Sequence, residues 1–314
     1  MEETSEFRTD VDEYEQELAA PPISLELLPS GADSSAYRTR NDPSQPYQRA
    51  KITERGGAVG AECRMVDVVH GRLGSLEGYE EFEDAKATLI ILDFAFDSRK
   101  NTRRIESAKT TFHFQATGGG DDDPAVVRID PDGRFELVET SHTVDTTTNL
   151  GLDIGAPPIA GFQAGAQVGW EQSTSRVKQD STRLVGWKHQ IDRDYGEDNA
   201  ASWTLLENST EKTGVPTSMR ACILLKREND LPFQCIFSLK LEVDLKSSLE
   251  KTMGMVFGKK LIDDPILFDP SRKPTKRQLE IFDINSLSSP SLAARSRVIS
   301  KNVLDGTIHH VGQN

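Results

Sequence analysis

The feature that most constrains the fold of this chain is a two-residue alternation of apolar and polar side chains over residues 233–245. Only Ile236 interrupts it. Successive side chains of a β-strand point to opposite faces, so the pattern predicts a long antiparallel strand with one buried face. The predicted buried face comprises Phe233, Cys235, Phe237, Leu239, Leu241, Val243 and Leu245.

The same period recurs along the chain. Residues 219–225, 88–96 and 107–115 read as strands, and in the last of these Ala108, Phe112 and Phe114 share a face. The turn-like residues 228–232 predict a hairpin over 217–245. The tetrapeptide Asp130-Pro131-Asp132-Gly133 predicts a second, tight hairpin between residues 126–129 and 135–138.

Helical patterns are few, with candidates at 75–86 and 248–257. Many strands and few helices predict a mainly β protein, an antiparallel two-sheet β-sandwich with one or two short helices and disordered termini. We place the sandwich at 51–270. Residues 1–50 form an acidic N-terminal tail of net charge −7, and residues 271–314 a basic, Ser-rich C-terminal tail of net charge +4. Residues 23–28 are expected to dock on the body or on a partner.

The formal net charge of −13 excludes several classes of partner. It argues against general nucleic-acid binding and against stable electrostatic anchoring on an anionic membrane. The acidic N-terminus has no apolar signal segment, and the three cysteines have neither disulfide nor zinc spacing. We therefore expect a cytoplasmic protein that is not secreted, with a nuclear location possible, and we discount the glycosylation sequon Asn208-Ser209-Thr210.

No motif predicts a cofactor, a metal site or catalytic residues. The Gly-rich residues 55–60 lack the Lys-Ser/Thr of a phosphate-binding loop, and adjacent Asp121, Asp122 and Asp123 are poorly placed to wrap one cation. None of the six histidines forms an H-E-x-x-H motif or pairs with a nearby cysteine. A catalytic set assembled from distant residues stays open, because such sets are defined by geometry and not by sequence order.

Three tryptophans, Trp170, Trp187 and Trp203, lie within 34 residues of one another. Buried tryptophan usually anchors a core, and that is the favoured interpretation. The alternative is a ligand or partner surface that also includes His189, Gln163 and Gln167.

Residues 142–190 are rich in Thr, Ser, Gly and Gln. Strands are predicted at 144–154 and 160–170, with a turn at 155–160 and further strands at 183–187 and 203–206. Over 160–170 apolar residues alternate with Gly and Gln, as in membrane β-strands. This pattern suggests a pore-forming-like protein that inserts the 142–185 hairpin. The dense charges Arg176, Lys178, Asp180 and Arg183 argue against insertion.

The segments Trp203-Thr204-Leu205-Leu206-Glu207-Asn208 and Gly214-Val215-Pro216, the strand 222–226, and the run from Asp263 to Pro270 resemble a pattern in uncharacterised β-rich proteins of filamentous fungi. The resemblance covers about the middle two thirds of the chain and brings no catalytic residues with it. It implies a protein that serves its host's cytosol or stands beside a specialised-metabolism pathway.

Three functions follow as hypotheses. The first is a non-enzymatic intracellular interaction or scaffold protein with a protein partner of unknown identity. The second is a small-molecule-binding protein or accessory enzyme with a pocket near the tryptophans. The third is the membrane-inserting hairpin. The sequence does not specify an oligomeric state.

Overall fold

The computed structural model describes residues 24–25, 39–56, 59–98, 103–118, 122–151, 169–244, 263–289, 292–304 and 307–312. Within them lie fourteen strands and one short α-helix, α1 (Lys276–Ile281). The strands are β1 (Ser24–Leu25), β2 (Lys51–Arg55), β3 (Val59–Arg72), β4 (Lys86–Ser98), β5 (Ile105–Ala116), β6 (Ala125–Asp130), β7 (Gly133–Gly151), β8 (Gly169–His189), β9 (Ala200–Leu206), β10 (Ser218–Arg227), β11 (Phe233–Val243), β12 (Ile266–Phe268), β13 (Arg297–Leu304) and β14 (Thr307–Gly312).

These strands form two seven-stranded antiparallel sheets. Sheet A has the order β1-β11-β5-β9-β8-β7, with β12 beside β11. Sheet B has the order β14-β13-β10-β4-β3-β2, with β6 beside β10. The prediction of a mainly β, two-sheet antiparallel protein with few helices is therefore confirmed.

The main core lies between the sheets, and the alternation of the sequence positions it. Along β11, Phe233, Cys235 and Leu241 are buried, whereas Ile236, the exception in the pattern, is 38% exposed. Phe112 and Phe114 of β5 face the same core, as predicted. Sheet A thus buries one face and leaves the other largely to solvent.

Sheet B buries its inner face and part of its outer face. In β4, Ile90 and Leu92 face the main core, while Leu89 and Ile91 belong to a second core on the outer side of the sheet. This explains the nearly continuous apolar run of β4, since a strand covered on two sides has no polar face.

The cover of the second core is a C-terminal strap, residues 276–289. Phe282 and Leu287 of the strap are buried in this core together with Leu292. The strap is also tied by backbone hydrogen bonds: the Arg72 N–H donates to the Ile284 carbonyl (2.7 Å), and the Leu287 N–H donates to the Arg72 carbonyl (3.0 Å). This part of the predicted basic tail is therefore packed on the body.

Part of the predicted N-terminal tail also contacts the body. Ser24 and Leu25, within the segment expected to dock, pair with β11. The Thr39 N–H donates to the Asp263 carboxylate (2.7 Å), and Arg49 Nη2 donates to the Asp264 carbonyl (2.6 Å).

Both predicted hairpins are wrong in the same way. Strand β10 belongs to sheet B and β11 to sheet A, so residues 228–232 carry the chain between sheets. Likewise β6 pairs with β10 while β7 pairs with β8, so Asp130-Pro131-Asp132-Gly133 forms a corner that changes sheets. Turn residues specify a chain reversal but not the strand with which the next segment pairs.

The predicted helix at 75–86 is also wrong. This segment contains only a 3₁₀ turn, Glu80–Phe82, and Lys86 already belongs to β4. Gly78 has a φ of +80°, which ends any helix there, and Leu76 and Tyr79 pack against the second core. The second predicted helix, 248–257, lies outside the described residues.

Substitution of Gly71 tests whether the strap packs against β3 as described. A Cβ added at Gly71 would lie 2.1 Å from the Ile284 carbonyl oxygen, whereas one added at Gly118 would meet nothing within 4 Å. We expect Gly71→Ala to lower the free energy of unfolding by about 1–3 kcal/mol, because backbone must move to relieve the overlap. Urea denaturation measures this, with Gly118→Ala as the matched control; equal stability of the two variants would contradict the described seating.

Candidate functional site

A long two-stranded ribbon extends from sheet A. Strands β7 and β8 are paired from Gly133↔Gly186 to Gly151↔Gly169, with one register shift after Glu136. Strand β9 pairs with β8 only over residues 183–189. Within the described residues, the 13 pairs formed by 139–151 with 169–181 therefore have no third strand. We call this part the ribbon; at 3.3 Å per residue it is about 40 Å long.

The composition of the ribbon is unlike that of the body. Of its 26 residues, 12 are Thr, Ser or Gly, and large apolar residues are rare. A two-stranded hairpin without a packed face is only marginally stable in water. The ribbon therefore depends on its attachment to the body.

The attachment is a latch around Asp180, at the base of the ribbon. The Asp180 carboxylate accepts hydrogen bonds from the Ser209 hydroxyl (2.5 Å), the Thr210 N–H (3.0 Å) and the Thr210 hydroxyl (3.0 Å). It also accepts from the Ser181 N–H (2.9 Å). The Ser209 hydroxyl above all, with these other donors, lowers the pKa of Asp180 from 3.8 to about 2. The latch is therefore charged at every physiological pH.

The partners of Asp180 are the residues of the sequon. Asn208 is 1% exposed; its Nδ2 donates to the Asp180 carbonyl (3.2 Å) and its Oδ1 accepts from the Thr210 N–H (3.1 Å). A glycan on this amide would break the latch. Asn208-Ser209-Thr210 thus has a structural role. The sequence analysis did not predict the latch at Asp180, and this tripeptide was the sequence signal that could have indicated it.

The loop that carries the latch is itself held by an ion pair. Arg104 Nε lies 3.1 Å from both carboxylate oxygens of Glu207, and the Gly214 N–H donates to Glu207 (2.9 Å). Burial raises the pKa of Glu207 even though Arg104 opposes that shift. The ribbon base is therefore linked through Asp180 and Glu207 to the start of β5.

Trp203 serves the core. Its side chain is 0% exposed and packs against Phe94 and Phe112 with ring centroids 6.3 and 6.1 Å away. Its indole N–H donates to the Pro131 carbonyl at 2.8 Å, which ties the sheet-changing corner to sheet A. Gly186 is required beneath it, because a Cβ there would lie 2.2 Å from the Pro131 oxygen.

Trp187 lies on the opposite, outer face of sheet A, since it pairs with Ser202, the residue before Trp203. Its ring centroid lies 5.9 Å from that of His189, and Lys109 Nζ lies 5.4 Å from the Trp187 centroid. Burial, then the charge of Lys109, lowers the pKa of His189. Its imidazole is therefore neutral at pH 7.

The remaining predicted site residues are distant from this pair. Trp170 pairs with Leu150 near the far end of the described ribbon, 17 residues along β8 from Trp187. Gln163 and Gln167 lie outside the described residues. The structure therefore does not bring the three tryptophans into one cluster. Trp203 is a core anchor, and Trp187 is partly buried on the outer face of sheet A.

A cavity of about 280 Å³ lies at the end of sheet A opposite the ribbon. It is lined in part by Thr117, Arg227 and Pro232, and by no tryptophan. Cys63, Cys222 and Cys235 are buried free thiols. In the described part of the chain, no cluster of three potential metal ligands occurs, and no helix has the length and hydropathy for a membrane crossing.

Comparison with known proteins gives only distant likenesses. No family model and no curated protein matches the chain. Among 37 similar solved chains, the Clostridium perfringens NetB toxin in its membrane-inserted form is 9% identical, with a TM-score of 0.24 over 59% of this chain and 78% of that one. Clostridium perfringens delta-toxin is 11% identical, with a TM-score of 0.25 over 61% of this chain and 86% of that one. Such low TM-scores establish neither fold nor function for this chain.

We expect Asp180→Ala to lower the free energy of unfolding by about 1–3 kcal/mol at pH 7, because several donors lose a charged acceptor. The folded-state pKa of Asp180 is depressed, so its contribution is complete above pH 4 and is lost as the pH falls towards 2. Urea denaturation from pH 7 to pH 2 measures both effects, with exposed Asp194→Ala as the control. If the two variants have the same stability at pH 7, the latch contributes nothing.

Proposed function

We propose that this protein is non-enzymatic and inserts the tip of the β7–β8 hairpin into a membrane. The observation that carries the proposal is the ribbon itself, which holds 13 residue pairs beyond the last contact of β8 with β9. At 3.3 Å per residue these pairs extend about 40 Å beyond that contact. A ribbon with so few apolar side chains has no evident use as part of the core.

The sequence of the connecting segment, residues 152–168, supports insertion. The described pairing ends at Leu150↔Trp170 and Gly151↔Gly169. If this register continues in the inserted state, Leu152 would oppose Val168 and Ile154 would oppose Ala166, so one face would be apolar. The other face would carry Asp153 opposite Gln167, together with Gly and the predicted residue Gln163. Membrane β-strands need about ten such alternating residues. Residues 152–168 supply at most eight on each side, and the last ribbon pairs, which include Leu150↔Trp170, would complete each strand.

The charges that argue against insertion have a place in this arrangement. Arg176, Lys178 and Asp180 belong to the ribbon between its tip and the body. They would remain outside the hydrocarbon when only the tip is inserted. Because every backbone polar group must be paired in hydrocarbon, one hairpin is insufficient, and copies of the chain would have to place their hairpins side by side.

The second candidate function is the interaction or scaffold protein expected from the sequence. Among the described strands, β7 is the terminal strand of sheet A. An exposed strand edge is a template on which a partner can add an extended segment. In this case the ribbon would recruit a protein partner, and the expected cytoplasmic location would stand.

Dye release from liposomes tests the first proposal against the second. Wild-type protein is expected to release trapped dye, and Ala166→Arg to reduce the rate at least tenfold, because a cation on the lipid-facing side costs about 2–4 kcal/mol. Gln167→Arg is the matched control, since the same charge one residue away would lie on the other face.

The outcomes separate the two candidates. Equal loss of release in both variants would contradict the assigned faces. Absence of release by wild-type protein, at any protein concentration or pH, would end the membrane proposal. Affinity purification from the native host, followed by mass spectrometry, would then test the scaffold function by seeking a stoichiometric protein partner.

A further inference from the structure

The outer face of sheet B is divided into two halves. The strap and the second core cover one half. The other half carries a row of four charged side chains in register on adjacent strands: Arg64 of β3, Asp93 of β4, Arg220 of β10 and Arg297 of β13. Together with Glu62, Ala95 and Ser218 they line a cavity of about 190 Å³, which we call the arginine cleft.

The ion pairs in the cleft leave donors unused. Asp93 is bound in bidentate fashion by Arg220, through Nε (2.6 Å) and Nη2 (2.6 Å), which leaves Nη1 outside that pair. Arg64 pairs with Glu62 through Nε alone. Within the described residues Arg297 has no ion pair and the Ser218 hydroxyl no hydrogen bond.

The balance of charge in the cleft is positive. Three guanidinium groups face two carboxylates, in a chain whose net charge is −13. The side chains of Ala95 and Ser218 are small, so the space between the arginines stays open. A local excess of cations around an open space favours an anion.

We propose that the arginine cleft binds a phosphate group. Planar guanidinium groups match the oxygens of phosphate with two parallel hydrogen bonds, and Arg297, Arg64 and Nη1 of Arg220 have donors to offer. The volume is below the range of about 300–1,000 Å³ typical of pockets for drug-sized ligands. The cleft is therefore matched to a single phosphate group, either free or carried by a lipid headgroup.

The position of the cleft relates it to the ribbon. Ser218 begins β10 directly after the loop that carries the latch partners Asn208, Ser209 and Thr210. A headgroup bound there would dock the ribbon end of the molecule on a bilayer before the tip inserts, and this source rests on the proposed function. Binding of free phosphate does not depend on it.

Isothermal titration of the full chain with inorganic phosphate at low ionic strength tests the site. We expect wild-type protein to bind and Arg297→Ala to bind about tenfold more weakly. Arg277→Ala is the matched control: it removes the same charge from an exposed position on α1 and should bind like wild type. Because Arg297 is exposed, its variant is expected to fold, and an unchanged thermal midpoint verifies this.

A second variant keeps the result decisive. Ala95→Glu, at an exposed position in the cleft, should abolish phosphate binding by adding a third carboxylate. No heat of binding with wild type, or equal affinity in the Arg297 and Arg277 variants, would overturn the proposal.

Vesicles distinguish the two sources of phosphate. A lipid headgroup would be assigned if wild-type protein sediments with vesicles that contain phosphatidic acid, if Arg297→Ala does not, and if inorganic phosphate displaces the wild-type protein. Phosphate binding without sedimentation would assign a free phosphate. Phosphate binding without dye release would retain the cleft and reject the membrane function, so the two proposals fail separately.

Discussion

The hydrogen bond from the Trp203 indole to the Pro131 carbonyl is the contact on which the layout of this protein depends. At Asp130-Pro131-Asp132-Gly133 the chain leaves sheet B for sheet A, and a corner between sheets has no strand partner to satisfy its buried carbonyls. Trp203 supplies that donor from the middle of sheet A, and Gly186 leaves room for the indole ring. The start of β7 is thereby fixed beside β8, and their pairing continues, through one register shift, into the ribbon.

Side-chain alternation predicts which residues are buried but not which strands are neighbours. Phe112, Phe114 and Cys235 face the core as their spacing indicates, because burial of alternate residues is a local property of a strand. Pairing depends on distant contacts. The corner at Pro131 is held by a residue 72 positions away, and no local pattern carries that information. Residues 130–133 and 228–232 have the composition of tight turns and therefore predict hairpins, but in the structure the chain changes sheets at both places.

The candidate site was accessible to sequence reasoning only in part. The composition of residues 142–185 identifies the hairpin, because a Thr-, Ser- and Gly-rich strand pair cannot form a core. Asp180 was one carboxylate among many, and its role is defined by hydroxyl and amide donors 29 and 30 residues further along the chain. The arginine cleft was equally hidden, since Arg64, Arg220 and Arg297 are isolated in sequence and meet only through the order of four strands.

The strap has a consequence for the order in which the nascent chain can fold. Leu89, Ile91, Cys222 and Leu224 lie on the outer side of sheet B and are covered by residues near the C-terminus, Phe282, Leu287 and Leu292. During synthesis, the sheet B strands β2, β3, β4, β6 and β10 precede those residues and can pair before them, with an apolar surface still open to solvent. A nascent chain that folds in this order would have most of the sandwich formed while the outer apolar face of sheet B is uncovered. At that stage chaperones, or other nascent copies, have their best opportunity to bind.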